Sequence, residues 1–236
     1  IIAPITANLT DALYNEQFVL DRTPGSGHDR VIEFRGNLEN PSTVSYSAQT
    51  AENNHIVRLY RSAYVMFNRI NFETESSTYS NMIFVEGFAK GIEVLDCSFT
   101  AGQVSTNLHH TESIGADDYA KIRDITIESS SFFGNGYGIR LRGSQIDITA
   151  NVFQGQQVGI SLDDNSDCYV GQNLFQNIVN TALYLNVSTR GVFSGNRIHS
   201  RSKGIVIGNS PASEQYNLIA NNAIYIEGNN ASSGIW

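Results

Sequence analysis

Apolar and polar residues alternate in four similar segments in the second half of the chain. The segments are Gly138–Arg142, Gly159–Asp163, Ala182–Asn186 and Gly204–Gly208, and in each the second and fourth residues are apolar. Apolar residues spaced two apart predict β-strands with one buried face. Successive segments begin 21, 23 and 22 residues apart. A strand that recurs at a nearly constant period predicts a solenoid of stacked coils.

A second signature recurs at the same period, an asparagine followed two residues later by an aromatic or aliphatic residue. The asparagines are Asn151, Asn173, Asn196 and Asn222. Asparagine tolerates left-handed backbone at a corner, and its amide can bond the next asparagine in a stack. We therefore predict an internal asparagine ladder. Phenylalanines are also predicted to stack inside the solenoid. They are Phe99, Phe132 or Phe133, Phe153 and Phe175.

Each repeat contains three short strands separated by small or polar corners. Between Gly138 and Gly159 the strands are predicted at 139–141, 146–148 and 151–153. A leucine-rich repeat has a similar period, but its Leu-x-x-Leu-x-Leu frame is missing. The prediction is an all-β, single-stranded parallel β-helix of about eight to ten coils. We predict one continuous domain, in which residues 56–236 form the regular β-helix and residues 1–55 form an N-terminal cap with irregular first coils.

The Gly-Ile-x-Leu and Asn-x-Phe frame, from about Ile56 onwards, resembles that of the right-handed parallel β-helix superfamily. This superfamily includes pectate lyases, rhamnogalacturonan and polygalacturonan hydrolases, alginate epimerases and phage tailspikes. The N-terminal part is similar to β-helix modules of large secreted proteins from gliding and polysaccharide-degrading bacteria. The segments that carry this second resemblance are Tyr14–Phe18, Pro24–Ser26 and Val31–Arg35. The resemblance implies a right-handed solenoid.

The catalytic motifs of these relatives are broken in this chain. Of the polygalacturonase motifs, Asp163-Asp164 matches the paired aspartates, Arg201-Ser202-Lys203 is a poor match to Arg-Ile-Lys, and Gly-His-Gly is missing. The Asp-Pro-His-Asp motif of alginate epimerases is also missing. The resemblance therefore implies the fold and leaves open whether the chain is an enzyme.

Outward residues of successive coils form columns on the first sheet, where the resemblance places active sites. One column begins at Arg140 and its neighbour at Arg142, and His109 is predicted one coil before Arg140. Arginines can fork a carboxylate or sulfate, and a tyrosine ring can stack on a sugar. The predicted substrate-binding residues are Arg140, Arg142, Ser161, Asp163, Tyr184 and Asn186. The catalytic candidates are Arg142, Asp163 and His109. The alternative is a solvated strand face with an Arg142–Asp163 pair.

Asp163, Asp164 and Asp167 are candidate metal ligands, because closely spaced carboxylates suit Ca²⁺. Their alternative role is to cap turns. Cys97 and Cys168 fall about three coils apart, too far for a disulfide. Both are therefore predicted to be free, buried thiols.

Composition narrows the range of partners. The 236 residues carry a net charge of −8 without a basic stripe, which argues against a nucleic-acid partner. No apolar run reaches the ~20 residues of a membrane-spanning helix, and the first residues lack the features of a signal peptide. Ser233–Trp236 looks like the start of another coil, so we expect further domains in a longer polypeptide. The alternative is that Trp236 is itself a cap.

The favoured functional hypothesis is a non-catalytic, secreted or cell-surface module that binds polysaccharide or a surface glycan, or acts as an adhesin. The first alternative is a lyase, hydrolase or epimerase that acts on uronic-acid-containing polysaccharide. The second is a segment similar to a phage tailspike, which would be a trimer.

Overall fold

The computed structural model describes most of the chain. The described residues are 4–10, 13–23, 25–37, 39–47, 50, 54–75, 81–101, 106–111, 122–134, 136–209, 216–228 and 233–236, with backbone alone for 106–111. Within this part, the strands lie on three faces of a solenoid, and each face has nine rungs. In the same residues, no helix is long and apolar enough to cross a bilayer.

Face 1 carries the Gly-Ile-x-Leu frame. Its strands are β3 (Phe18–Asp21), β6 (Val57–Tyr60), β9 (Ile83–Glu86), β12 (Thr106–Thr111), the first half of β15 (Tyr137–Thr149), β17 (Val158–Ser166), β20 (Thr181–Thr189), β23 (Lys203–Gly208) and β26 (Ser233–Ile235). The 33 residues from Phe99 to Phe132 exceed one coil, and the sequence predicts that they hold a strand near Leu108 and a protruding loop at Ser113–Tyr119. β12 contains Leu108, whereas the loop lies outside the described residues.

Face 2 continues from face 1 after a bend, and β15 runs through both faces. Its strands are β1 (Ile5–Asn8), β4 (Ile32–Arg35), β7 (Ala63–Asn68), β10 (Lys90–Leu95), β13 (Ile122–Glu128), the second half of β15, β18 (Tyr169–Gly171), β21 (Val192–Ser194) and β24 (Leu218–Ala220). Face 3 closes each coil. Its strands are β2 (Leu13–Tyr14), β5 (Ser42–Ser45), β8 (Ile70–Thr74), β11 (Ser98–Ala101), β14 (Ser131–Phe133), β16 (Val152–Gln154), β19 (Leu174–Ile178), β22 (Arg197–Ser200) and β25 (Ala223–Ile226).

All ladders between named strands are parallel, and equivalent letters of successive repeats are paired. Leu141 pairs with Leu162, Leu162 with Leu185, and Leu185 with Ile207. The three leucines are at most 2% exposed, and Ile207 packs against the same core. The predicted right-handed parallel β-helix is confirmed, in the hand expected for parallel strands joined by crossovers.

The same faces continue on both sides of residue 55. β3 pairs with β6 through Phe18 and Val57, and β5 pairs with β8 through Val44 and Phe72. The first five strands are therefore rungs of the stack. Their spacing is irregular in sequence because the corners between them differ in length.

The asparagine ladder forms as predicted. The Nδ2 atom of Asn151 donates to Oδ1 of Asn173 at 3.1 Å, Asn173 donates to Asn196 at 3.1 Å, and Asn196 to Asn222 at 2.9 Å. Each Oδ1 also accepts a backbone N–H from the preceding coil, such as that of Asn151 at Asn173. These buried amides are hydrogen-bonded along the axis, as buried polar groups require.

The phenylalanine column limits the size of the side chain that fits at the frame positions Gly138 and Gly159. Phe132, Phe153 and Phe175 stack at 4.8 Å between ring centroids and are fully buried. A Cβ atom at Gly159 would lie 2.7 Å from Cδ1 of Phe175. One coil later the frame residue is Ala182, and the residue equivalent to Phe175 is Ile198. An aromatic ring thus accompanies Gly138 and Gly159, and an aliphatic side chain accompanies Ala182. Gly204 faces the aliphatic Ile224, and there the carbonyl of Gly234 also limits the space for a Cβ atom.

Candidate functional site

The outward side chains of face 1 form the columns predicted from the repeat. In the first column Arg140 pairs with Ser161, Ser161 with Tyr184, and Tyr184 with Val206. A second column, three residues before the first along each strand, was not predicted. It joins Tyr137, Val158, Thr181 and Lys203 in the same register.

These two columns enclose a concave site, which we call the face 1 basin, with a volume of about 310 Å³. It is lined by Tyr137, Arg140, Val158, Ser161, Asp163, Asn180, Thr181, Tyr184, Lys203, Val206 and Trp236. Small side chains make its floor. Val158 is 8% exposed, Ser161 3%, Thr181 5% and Val206 2%, although all four lie on the outer side of the sheet. Long side chains on neighbouring rungs overhang them, and this alternation of size creates the depression.

A cation stacked on an aromatic ring stands at each end of the basin. The Arg140 guanidinium lies 5.5 Å from the centroid of the Tyr137 ring, and the Lys203 ammonium lies 4.2 Å from that of Trp236. Such contacts restrain long cationic side chains. Tyr184 stands between the two ends. The basin therefore presents aromatic surfaces and positive charges along the solenoid axis.

Trp236 joins the basin because the chain forms another rung of face 1. Ile205 pairs with Ile235, and the N–H of Trp236 donates to the carbonyl of Ile205 at 2.9 Å. This confirms the strand expected at Ser233–Trp236. The Trp236 ring follows Val206 in the first column and is 67% exposed.

A hydrogen-bonded ladder runs along one side of the basin. Asn186 donates from Nδ2 to Oδ1 of Asp163 at 3.1 Å, and Asn209 donates to Oδ1 of Asn186 at 3.1 Å. Asp163 therefore has a fixed partner beside the site. Held side chains on a rigid sheet favour binding, since less freedom is lost when a ligand arrives.

Arg142 is not among the described residues that line the basin, and its predicted role in substrate binding stays a prediction. Its Nη2 atom donates to Oδ2 of Asp164 at 2.9 Å. Arg142 and Asp163 are cross-strand neighbours, as the alternative predicted, but the Arg142 guanidinium bonds Asp164 and the Asp163 carboxylate accepts from Asn186. Asp164 has a φ of 43°, which belongs to a left-handed corner and not to an extended strand. The bend of the strand brings the Asp164 carboxylate to Arg142, and the Asp163 carboxylate accepts a hydrogen bond from Asn186 instead.

The three candidate metal ligands do not come together. Asp163 bonds Asn186, Asp164 bonds Arg142, and Asp167 accepts two 2.6 Å hydrogen bonds from Arg190. Those hydrogen bonds hold the pKa of Asp167 below its usual value. Within the described residues, no three His, Cys, Asp or Glu side chains form a cluster able to hold a metal. Calcium binding here stays a prediction without geometric support.

His109, the third catalytic candidate, is placed by its backbone alone. It pairs with Phe84 on one side and Arg140 on the other, as expected for the rung before Arg140. Its side chain lies outside the described part of the chain. Its catalytic role stays a prediction.

The residues that the sequence did not reveal are Tyr137, Lys203 and Trp236. Tyr137 and Lys203 directly precede a frame glycine, a position outside the simple alternation of the strand. A comparison of this position between repeats would have indicated a column that is large at both ends and small between them. Trp236 has the register of Val206, so the repeat could have placed it.

A family model described as periplasmic copper-binding protein (NosD) matches residues 44–235. The chain belongs to the NosD family. Its fold is similar to that of the pectin methylesterase from Aspergillus niger, with a TM-score of 0.61 and 10% sequence identity over all of this chain and 82% of that one. It also matches PfbA, a surface adhesin of Streptococcus pneumoniae, with a TM-score of 0.40 and 13% identity over 95% of this chain and 82% of the adhesin. No curated protein sequence gives a significant match.

The described cysteine and histidine side chains of this NosD-family chain do not form a cluster that could hold copper. Copper prefers thiolate, thioether and imidazole ligands. Cys97 and Cys168 are free and buried, as predicted, and burial raises the pKa of each thiol to about 12. The His55 ring is 4% exposed and stacks on Phe84, while His199 is hydrogen-bonded to Glu227 at 2.8 Å. In the described part of the chain these groups do not form a cluster of three metal ligands.

Proposed function

We propose that this chain is a non-catalytic polysaccharide-binding module of the periplasm or cell surface, and that the face 1 basin is its binding site. The observation that carries the proposal is the Tyr184 ring between two cation-bearing ends over a floor of small residues. Sugars offer apolar ring faces and hydroxyl groups, and such ligands suit aromatic surfaces flanked by fixed hydrogen-bonding groups. The family description, which names a periplasmic protein, supports the location.

The side chains of the basin favour binding over turnover. Glycoside hydrolysis uses two carboxyl groups about 5–9.5 Å apart. Among the described lining residues, Asp163 is the one carboxylate, and it is bonded to Asn186. Arg142, another catalytic candidate on this face, bonds Asp164. The described lining of the basin thus has groups suited to holding a sugar chain, and within that lining it has one carboxylate and not the pair that hydrolysis uses.

The test measures binding of the purified chain to a panel of soluble polysaccharides by calorimetry and affinity electrophoresis. Tyr184→Ala is expected to weaken binding about tenfold or more, as loss of a stacking platform costs about 1.5 kcal/mol. Tyr225→Ala is the matched control, because Tyr225 is 63% exposed on face 3.

Two outcomes would contradict the proposal. Equal loss of affinity in both tyrosine variants, or none in either, would remove the basin as the site. Product formation from a uronate polymer that stops in Asp163→Ala or Arg140→Ala would show that the basin is catalytic.

A further inference from the structure

We infer that the face 1 basin selects a negatively charged glycan, one whose carboxylate or sulfate groups contact Arg140 at one end and Lys203 at the other. This inference rests on the proposed function and specifies the class of ligand. It follows from the sign of the charges in the basin, from their partners and from their spacing along the stack.

The sign of charge in the basin is opposite to that of the whole chain. The chain carries −8, whereas the described lining residues include two cations, Arg140 and Lys203, and one anion, Asp163. The carboxylate of Asp163 already accepts the Asn186 amide. A local positive field in an acidic protein attracts anionic ligands to that site and repels them elsewhere.

The partners of Arg140 and Lys203 differ from those of several other cations, although Arg61 and Arg123, which do not line the basin, also lie over rings. Arg58, Arg142 and Arg190 each form an ion pair with a carboxylate of a neighbouring coil. Arg140 and Lys203 instead lie over aromatic rings, and among the described residues neither is paired with a carboxylate. A ring holds a cation in place without neutralising its charge. Both groups therefore keep their capacity for charge-assisted hydrogen bonds to an anion.

The register fixes how a ligand lies. Arg140 and Lys203 are on β15 and β23, three rungs apart, which places their strands about 14 Å from each other. Tyr184 is on the rung between β17 and β23. An extended sugar chain that bonds both cations therefore runs obliquely along the solenoid axis, from the Arg140 column to the neighbouring Lys203 column, and passes beside Tyr184.

The experiment compares polygalacturonate with the same polymer after methyl esterification, so that the sugar backbone is constant and its charge is removed. Wild type is expected to bind the acid form at least tenfold more tightly at low salt, and added salt should reduce that preference because exposed charges are screened. Dextran sulfate compared with dextran shows whether sulfate substitutes for carboxylate.

Three glutamine variants each remove one positive charge. Arg140→Gln and Lys203→Gln are each expected to weaken binding of the acid form about five- to tenfold, as for loss of a partly exposed charge-assisted contact, and to change binding of the ester little. The double variant should bind both forms alike. Arg197→Gln is the matched control, because Arg197 is exposed on face 3, and it should keep the preference.

The failure of this inference differs from failure of the proposed function. If both polymers bind equally and Tyr184→Ala still weakens binding, the charge selection is wrong and the binding site stands. An equal loss in Arg197→Gln and the basin variants would mean that net charge, and not these two side chains, gives the preference. If no polymer binds, both ideas fall.

Discussion

The contact between Gly159 and Phe175 allows a quantitative test of how the coils fit together. A methyl group at position 159 would lie 2.7 Å from the Phe175 ring and 2.6 Å from the carbonyl oxygen of Ala182. Gly159 is buried and the Phe175 side chain is fully buried. Overpacking of this kind costs about 1–3 kcal/mol, and the lower backbone entropy of alanine returns about 0.5–1 kcal/mol. Gly159→Ala is therefore expected to lower the free energy of unfolding by about 1–2 kcal/mol.

Gly159→Ala is the first change in a double-mutant cycle, and Phe175→Ile is the second. Together the two changes reproduce the pair formed by Ala182 and Ile198 one coil later. It removes a ring that stacks on Phe153 at 4.8 Å, at an expected cost of about 2 kcal/mol. In the double variant the smaller side chain makes room for the methyl group. We therefore expect it to be about 1 kcal/mol more stable than the sum of the single changes predicts.

The assay is urea denaturation of the four proteins, followed by circular dichroism, with the coupling energy taken from the cycle. Phe99→Ile combined with Gly159→Ala is the control, since Phe99 lies three rungs from Phe175 in the same column and should give additive effects. Additive changes in the free energy of unfolding for Gly159→Ala and Phe175→Ile would refute the reasoning. The glycine would then be required by the backbone of the next coil and not by the Phe175 ring.

Three further predictions concern stability and reactivity. Asn173→Ala should lower the free energy of unfolding by about 3 kcal/mol in urea titrations, because it leaves buried partners on two coils without a hydrogen bond. Asn222→Ala, at a partly buried rung, should lower the free energy of unfolding by less. Equal losses in the two variants would argue against the ladder. Burial lowers the pKa of His55 from 6.5, so the unfolded state takes up a proton first as the pH falls through about 6.5. The free energy of unfolding should therefore decrease from that pH down to the folded pKa. His55→Gln should flatten this part of the stability curve, measured by urea unfolding at a series of pH values. Since burial raises the pKa of Cys97 and Cys168 to about 12, both thiols should react with a thiol-specific reagent only as fast as the protein opens, and rapid labelling of the native protein would contradict their burial.

The interior of this protein could be predicted from its sequence because a parallel stack places equivalent letters next to each other. The asparagine ladder and the phenylalanine column depend only on the period, and both form as expected. The outward column from Arg140 to Val206 follows from the same register.

The partners of the outward charges could not be predicted in the same way. The carboxylate that meets Arg142 is decided by the left-handed corner at Asp164, and alternation along a strand does not reveal such a corner. The basin also depends on the residue that precedes each frame glycine, such as Lys203, and on side chains leaning across rungs. Local backbone geometry and side-chain direction therefore decide the site, whereas periodicity decides the fold.

The basin takes each of its main side chains from a different coil, and this makes the solenoid a molecular ruler. Arg140, Tyr184 and Lys203 belong to separate repeats that share one register. Removal of a whole repeat between them would shorten the distance between the two cations by about 4.8 Å and leave the neighbouring coils paired as before. Duplication of a repeat would lengthen it by the same step. On the proposal that the basin binds an anionic glycan, recombination between repeats is thus a route by which such a protein acquires preference for a different spacing of charge along a polymer.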